Sequence, residues 1–307
     1  MMTMILELIL FAIGLVLLIK GSDLFVEAAS RTAKDFGVSE FIIALVLASI
    51  ATTLPEVTVS ALAAYRGESG IALGNAIGSA LANIALILGI SAMIMPLKVD
   101  KTAWENSLFL VAVTCYATLI MHDGIISRLD GFSLILIYFG FLYYLYRKHM
   151  ILEEVSEREG EPKRDILILL GSGIVVVVGA RLVVNSAVTL AEALGISEAV
   201  IGLTLVSIGT SLPELTNSLT ATLKRIPNIS VGNIIGADIL DILIVIGVAS
   251  LIRPIPVDSE TFSVTLPLAL LAMVILTVSL RLNNRVGRKS AFLFLVIYAY
   301  FLYLLFH

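Results

Sequence analysis

The chain has 307 residues, 59% hydrophobic and only 14% charged, where a soluble domain would carry about a quarter charged residues. Together with a mean hydropathy of +1.03 this excludes a soluble globular protein and places the chain in a bilayer; no basic patch interleaved with aromatics points to nucleic acid. The net charge of −4 reports only on loops, and the single cysteine, Cys115, excludes an intrachain disulfide or a cysteine-cluster metal site.

The N-terminal run MMTMILELILFAIGLVLLIK lacks a basic leader region and an A-x-A-like cleavage site, so it is expected to be a mature transmembrane helix. Apolar runs long enough to cross the hydrocarbon core fall near 3–20, 38–64, 71–95, 104–121, 130–147, 166–180, 196–222, 229–252, 262–280 and 290–306. That is about ten spans, five per half, and the predicted fold class is an all-α polytopic membrane protein. An odd number per half makes the second half enter from the opposite side. Two related halves must then form inverted five-helix repeats.

Segments 21–37 and 179–195 each continue the preceding helix with an amphipathic stretch. The first and sixth helices are therefore expected to be long and tilted, with an interfacial loop helix as the alternative. The mixed-charge run RKHMILEEVSEREGEPKRD suits a solvated linker. The expected organisation is a first repeat over 1–147, a linker over 148–164 and a second repeat over 165–307. With ten spans, Arg66, Arg128, Arg181 and Arg253 fall on one side and the other sixteen Lys and Arg (20 − 4) on the opposite side. The positive-inside rule puts the richer side in the cytoplasm. A multi-pass protein of the cell membrane follows, with both termini outside and the linker cytoplasmic.

The stretch 43–100 recurs as 201–258 without a gap, at an offset of 214 − 56 = 158 positions. Roughly two in five aligned positions are identical, which marks a duplication and not shared composition. Each copy sets a carboxylate after a proline inside an apolar span: Thr-Thr-Leu-Pro-Glu ending at Glu56, and Thr-Ser-Leu-Pro-Glu ending at Glu214. Proline removes one helical hydrogen bond and strains the turn before it. Carbonyls near Ser49 and Ser207 are therefore expected to turn into a cavity, the one place such backbone is tolerated at membrane depth.

The following spans open with Gly-Asn-Ala-Ile-Gly-Ser (74–79) and Gly-Asn-Ile-Ile-Gly-Ala (232–237). Glycines four apart leave one helix face bare for close packing. Ser79 and Asn83 share a face at i, i+4, as do Ala237 and Asp241. A carboxylate at membrane depth requires a partner, a proton or a cavity. The expected site pairs Glu56 or Glu214 and hydroxyls from one helix with Asn83 or Asp241 from the next. All these ligands are oxygen, and the histidines, His122, His149 and His307, lie near span ends. Such a site favours Ca2+ over transition metals.

These motifs resemble the alpha repeats of the sodium/calcium exchanger family, within the calcium/cation antiporter superfamily. The matching residues are ATTLPE and GTSLPE, with GNAIGS and GNIIGA. The resemblance covers essentially the whole chain and implies Na+-driven Ca2+ exchange at a midplane site open alternately to either side. It implies that Glu56 and Glu214 coordinate Ca2+ and also serve Na+. Thr52, Thr210, the hydroxyls of Thr53, Ser211 and Ser79, and the carbonyls of Ser49 and Ser207 would complete the sites, with Asn83 and Asp241 in the central layer. The long first and sixth helices would slide as gates. Three positions depart from the pattern: Ala237 for a serine, Ala51 for the glycine matched by Gly209, and Thr53 for a serine.

The expected function is a secondary antiporter exchanging Ca2+ for Na+, with proton/Ca2+ antiport as the nearest alternative. A passive cation channel would use similar oxygen rings but usually assembles several copies about one pore. The chain has neither the His-Glu-x-x-His nor the Gly-x-Ser-x-Gly motif of a hydrolase. No enzyme activity and no cofactor are expected. The partners expected are the lipid bilayer, Ca2+ and monovalent cations, with no obligatory protein partner.

Overall fold

The computed structural model describes residues 2–36, 38–67, 69–152, 162–193 and 211–306. The described residues are almost wholly helical. In order they form α1 (Met2–Phe36), α2 (Glu40–Arg66), α3 (Ser69–Ile94), α4 (Ala103–Ile120) and α5 (Arg128–Leu152), then α6 (Pro162–Ala193), α7 (Leu212–Leu223), α8 (Pro227–Ile252), α9 (Thr261–Asn283) and α10 (Arg288–Phe306). Four two-residue strands complete the set: β1 (Leu97–Lys98), β2 (Ile125–Ile126), β3 (Ile255–Pro256) and β4 (Arg285–Val286).

Eight helices among the described residues are long and apolar enough to cross a membrane, namely α1 to α6, α8 and α9. α10 is helical over 19 residues, matching the last expected span, whereas the seventh, 196–222, is described only from Ser211 onward. Polarity is distributed inside out. Leu119, Leu129, Leu167 and Leu282 face outward, while Glu56, Glu214, Asp238 and Asp241 are buried. That is the distribution a lipid solvent requires.

Turn chemistry sets several helix limits. Ser39 caps α2 by accepting from the Ile42 N–H at 3.4 Å. The same helix ends at Gly67, whose φ of 94° is a left-handed conformation open to glycine without strain. Pro227 stands in the first turn of α8, where its missing N–H is harmless. α1 and α6 continue unbroken to Phe36 and Ala193. The amphipathic stretches 21–36 and 179–193 are thus helix extensions, and the interfacial-loop alternative is set aside for them. The helices flanking the expected linker also reach into it, to Leu152 and from Pro162.

Two layers result. The principal core joins α2, α3, α4, α5, α8, α9 and α10, with Phe41, Leu73, Leu110, Leu134, Ile242 and Phe294 among its buried members. α1 and α6 stay outside that core and lie chiefly against each other. A side chain at Gly14 would meet Val183 at 2.9 Å, and one at Gly21 would meet Val176 at 3.0 Å. The partner number falls as the residue number rises, so the two helices run antiparallel. They cross on small residues, as membrane helices that approach closely do.

The strands tie the halves together. β1 pairs with β4 and β2 with β3, both antiparallel, through Leu97 with Val286 and Ile126 with Ile255. β1 and β2 lie at opposite ends of α4, and β4 and β3 at opposite ends of α9. α4 and α9, which correspond at the repeat offset, therefore also run antiparallel. Hydrogen bonds Ser107 to Thr277 at 2.7 Å and Thr114 to Met273 at 3.4 Å fix their contact.

The bare glycine face of α8 docks on α2. A Cβ at Gly232 would lie 2.5 Å from the Phe41 carbonyl, and one at Gly236 would lie 2.2 Å from that of Leu45. Nothing among the described residues crowds Gly74 or Gly78 in this way. The stretch of α2 that meets these glycines, 41–49, matches 199–207 by the offset, outside the described residues. Gly236→Val is expected to force α8 off α2 and destabilise the fold by more than about 2 kcal/mol. Thermal unfolding in detergent measures this against Gly140→Ala, where a Cβ meets nothing within 4 Å; equal midpoints for the two variants would refute the tight α2–α8 contact.

Candidate functional site

α2 carries the first group of expected residues in one buried segment: Ser49, Thr52, Thr53 and Glu56. Pro55 sits inside the continuous helix. Because proline has no N–H, the carbonyl four residues earlier, on Ala51, loses its helical donor. One turn upstream, residues Ala44–Ala48 adopt a wider π-helical turn. The Ser49 hydroxyl donates back into that turn, to the carbonyls of Leu45 at 2.7 Å and Val46 at 3.3 Å. The Thr52 hydroxyl lies 3.3 Å from the Ser49 carbonyl and 3.5 Å from Asn233 Oδ1 on α8. The Thr53 hydroxyl and Glu56 Oε2 are buried with no hydrogen-bond partner among the described residues.

The second half repeats this at the offset. Ser211, the counterpart of Thr53, is buried with an unpartnered hydroxyl, and Glu214 is buried with an unpartnered Oε2. Here Pro213 falls in the first turn of α7. Ser207 and Thr210 lie outside the described residues.

Asn83 and Asp241 occupy equivalent positions on α3 and α8, and each opens a π-helical turn, Asn83–Leu88 and Asp241–Val245. Such turns widen the helix and loosen its carbonyls, and they recur at functional sites. The packing exchanges partners between the repeats. α2, bearing Glu56, lies against the turn that begins at Asp241, and α7, bearing Glu214, lies against the turn that begins at Asn83. Asn83 Nδ2 donates to Asp238 Oδ1 at 3.0 Å across α3 and α8. Asn83 Oδ1, Asp238 Oδ2 and both oxygens of Asp241 have no partner among the described residues.

Ser79 is buried on α3 one turn before Asn83. Of the expected residues, Ser49, Thr52, Thr53, Glu56, Ser79, Asn83, Ser211, Glu214 and Asp241 are thus all buried on four neighbouring helices. Among the described residues, no three of Asp, Glu, His and Cys gather as a metal cage. An ion here must take much of its coordination from hydroxyl, amide and backbone oxygens, which suits a hard cation.

Three buried polar residues were not anticipated from the sequence. Asp238 is fully buried, three residues before Asp241, and that i, i+3 spacing was the available signal. Asn233, the asparagine of the second Gly-Asn motif, meets Thr52. Asn217 accepts from Ser22 on α1 at 2.7 Å and keeps an unpartnered Nδ2. It is one turn after Glu214 but has no polar counterpart in the first copy, where Val59 stands.

A model of the sodium/calcium exchanger protein family matches residues 6–147 and 165–307. Over 290 residues the chain is 39% identical to an uncharacterized membrane protein of Methanocaldococcus jannaschii, covering 94% of each chain. It is 29% identical to the sodium/calcium exchanger MaX1 of Methanosarcina acetivorans, covering 97% of this chain and 98% of that one. Its fold superposes on the solved sodium-calcium exchanger NCX_Mj, soaked with Na+ and Sr2+, with a TM-score of 0.87. Identity there is 38%, over 96% of this chain and 97% of that one.

The Asn83–Asp238 bond gives a stability prediction. Asn83→Ala leaves a buried carboxylate without the one side-chain donor that the described residues give it and is expected to cost about 1–3 kcal/mol. Thermal unfolding in detergent without divalent ions reads this loss, and an unchanged midpoint would mean that Asp238 finds its donor elsewhere.

Proposed function

This chain belongs to the sodium/calcium exchanger protein family, and from that premise we propose that it is a secondary antiporter moving Ca2+ in exchange for Na+ by alternating access. The observation that carries the reading is the buried pair Glu56 and Glu214. They lie at equivalent positions of a duplication, each with an unpartnered oxygen and each packed toward the π-helical turn of the other repeat.

Glu56 and Glu214 coordinate Ca2+ and also serve Na+. Thr52, Thr210, the hydroxyls of Thr53, Ser211 and Ser79, and the carbonyls of Ser49 and Ser207 complete the ion positions, with Asn83 and Asp241 in the central layer. Ca2+ and Na+ share carboxylates, so they cannot both occupy the site in full. An empty site would carry several uncompensated charges through an apolar interior, which is prohibitive. Charge therefore enforces exchange. The solved exchanger NCX_Mj was studied with Na+ and with Ca2+ or Sr2+, which supports this ion assignment.

The architecture is that of two inverted five-helix repeats, 1–147 and 165–307, joined by 148–164. The antiparallel run of the equivalent pairs α1 with α6 and α4 with α9 supports it. The moving part is the α1–α6 layer, which shares little of the main core. α1 is held to α7 by Ser22 with Asn217 and by Lys224 with Glu27 at 2.7 Å. By the charge rule that end faces the cytoplasm, with both termini outside in the cell membrane. Breaking and reforming this contact opens and closes the cytoplasmic side.

Proton/Ca2+ antiport is the second reading, and it draws on Ala237, which lacks the hydroxyl of its counterpart Ser79. Ca2+ uptake into proteoliposomes separates the two. Liposomes loaded with Na+ and diluted into Na+-free buffer are expected to take up Ca2+, whereas an inside-acidic proton gradient alone is not. Uptake driven only by protons would transfer the coupling to H+. Glu56→Gln and Glu214→Gln are each expected to reduce Na+-driven uptake at least about tenfold, since each removes one buried anionic ligand. Wild-type flux in either variant would remove that residue from the site.

A further inference from the structure

At the repeat offset, Ser79 and Ala80 of the first copy match Ala237 and Asp238 of the second. The polar oxygen on α8 has moved by one residue and become a carboxylate. Asp238 is 0% exposed. One of its oxygens accepts from Asn83 at 3.0 Å, and the other has no partner among the described residues. Asn83 Oδ1 and both oxygens of Asp241 are likewise buried and unpartnered. Asp238 and Asp241 share one side of α8 by their i, i+3 spacing. Four oxygens without a donor among the described residues therefore lie on stretches of α3 and α8 that pack together and are joined by the Asn83–Asp238 bond.

Among the described residues no Lys, Arg or His is buried. An ionised carboxylate in such an interior, with a single amide donor, remains far from satisfied. We infer that Asp238 is a ligand for a monovalent alkali cation, bound between α3 and α8 with Asn83 and Asp241. This inference rests on the exchanger reading of the Glu56 and Glu214 pair, which leaves the divalent ion on that pair. A monovalent ion fits the Asp238 side better. Ca2+ takes six to eight oxygens, commonly several from carboxylates, whereas here two carboxylates and one amide oxygen are on offer, and no third acidic group among the described residues joins them. Asp238 thus gives the second repeat a monovalent-ion ligand that the first repeat lacks, and it makes the two halves of the site unequal in charge.

The test is Asp238→Asn, which keeps the volume and the acceptor for Asn83 but removes the charge. Purified wild type and variant are compared for equilibrium binding of radiolabelled Na+, with K+ or Ca2+ as competitor. Both proteins are then assayed for Ca2+ uptake into proteoliposomes against graded internal Na+ or K+. The variant is expected to bind one fewer monovalent ion per chain, and its half-saturating concentration for driving uptake should rise by about tenfold, or 1.4 kcal/mol. Ca2+ affinity should change less than that. Competition by K+ as strong as by Na+ would assign the position to K+, and weak competition would assign it to Na+.

Unchanged monovalent stoichiometry in the variant would overturn the inference, leaving Asp238 a structural acid bound to Asn83. If the variant does not transport, the binding stoichiometry decides alone. A double variant, Asn83→Asp with Asp238→Asn, returns the charge to the same contact and is expected to restore the lost ion. Wild-type protein that binds monovalent ions at Asp238 but drives no Ca2+ uptake would refute the exchanger reading and leave this one standing.

Discussion

The structure depends on one imbalance: among the described residues, the buried interior holds acidic groups and no basic ones. Glu56, Glu214, Asp238 and Asp241 are enclosed, while no Lys, Arg or His among the described residues is buried. A protein can neutralise an internal carboxylate with an arginine or lysine, and a fold selected only for stability often would. Here that option is not used. A counter-charge that comes from outside and can leave again is what the proposed transport site asks of these acids, and a structural ion pair would not supply it.

The helical framework is built so that this interior can exist. Pro55, the π-helical turns at Asn83 and Asp241, and the turn at Ala44–Ala48 loosen helical hydrogen bonding at the depth where the carboxylates lie. Each irregularity would be costly against lipid, and each is enclosed by neighbouring helices. The close approach of α8 to α2 through Gly232 and Gly236 brings those loosened stretches together. Packing of small residues and exposure of backbone oxygen are thus parts of one arrangement.

Much of this was readable from the chain alone. The duplication marked Glu56 and Glu214, because a carboxylate after proline in an apolar run is unusual once and informative twice. The lengths of α1 and α6 followed from amphipathic continuation past the apolar run. Other features carried no such signal. Asp238 and Asn217 break the repeat, matching Ala80 and Val59, so attention to what the copies share passed over them. The π-helical turns have no composition of their own; residues such as Ile84 to Leu88 would suit an ordinary α-helix, and the wider turn arises from how α3 meets its neighbours. The two-residue strands are too short for any alternating pattern, and their partners are more than a hundred residues away in the chain.

Those strands have a further meaning. β1 with β4 and β2 with β3 are clasps made between the halves, never within one, and one lies at each end of the crossing pair α4 and α9. Each half offers one strand to the first clasp and one to the second. Two separate copies of such a half, inserted in opposite orientations, would form both clasps by the same rule that governs any two-fold interface. The contacts between the two copies in this one chain are thus arranged as those of a two-fold interface are. The two sides of that seam are not alike, since one carries Asp238 where the other has Ala80.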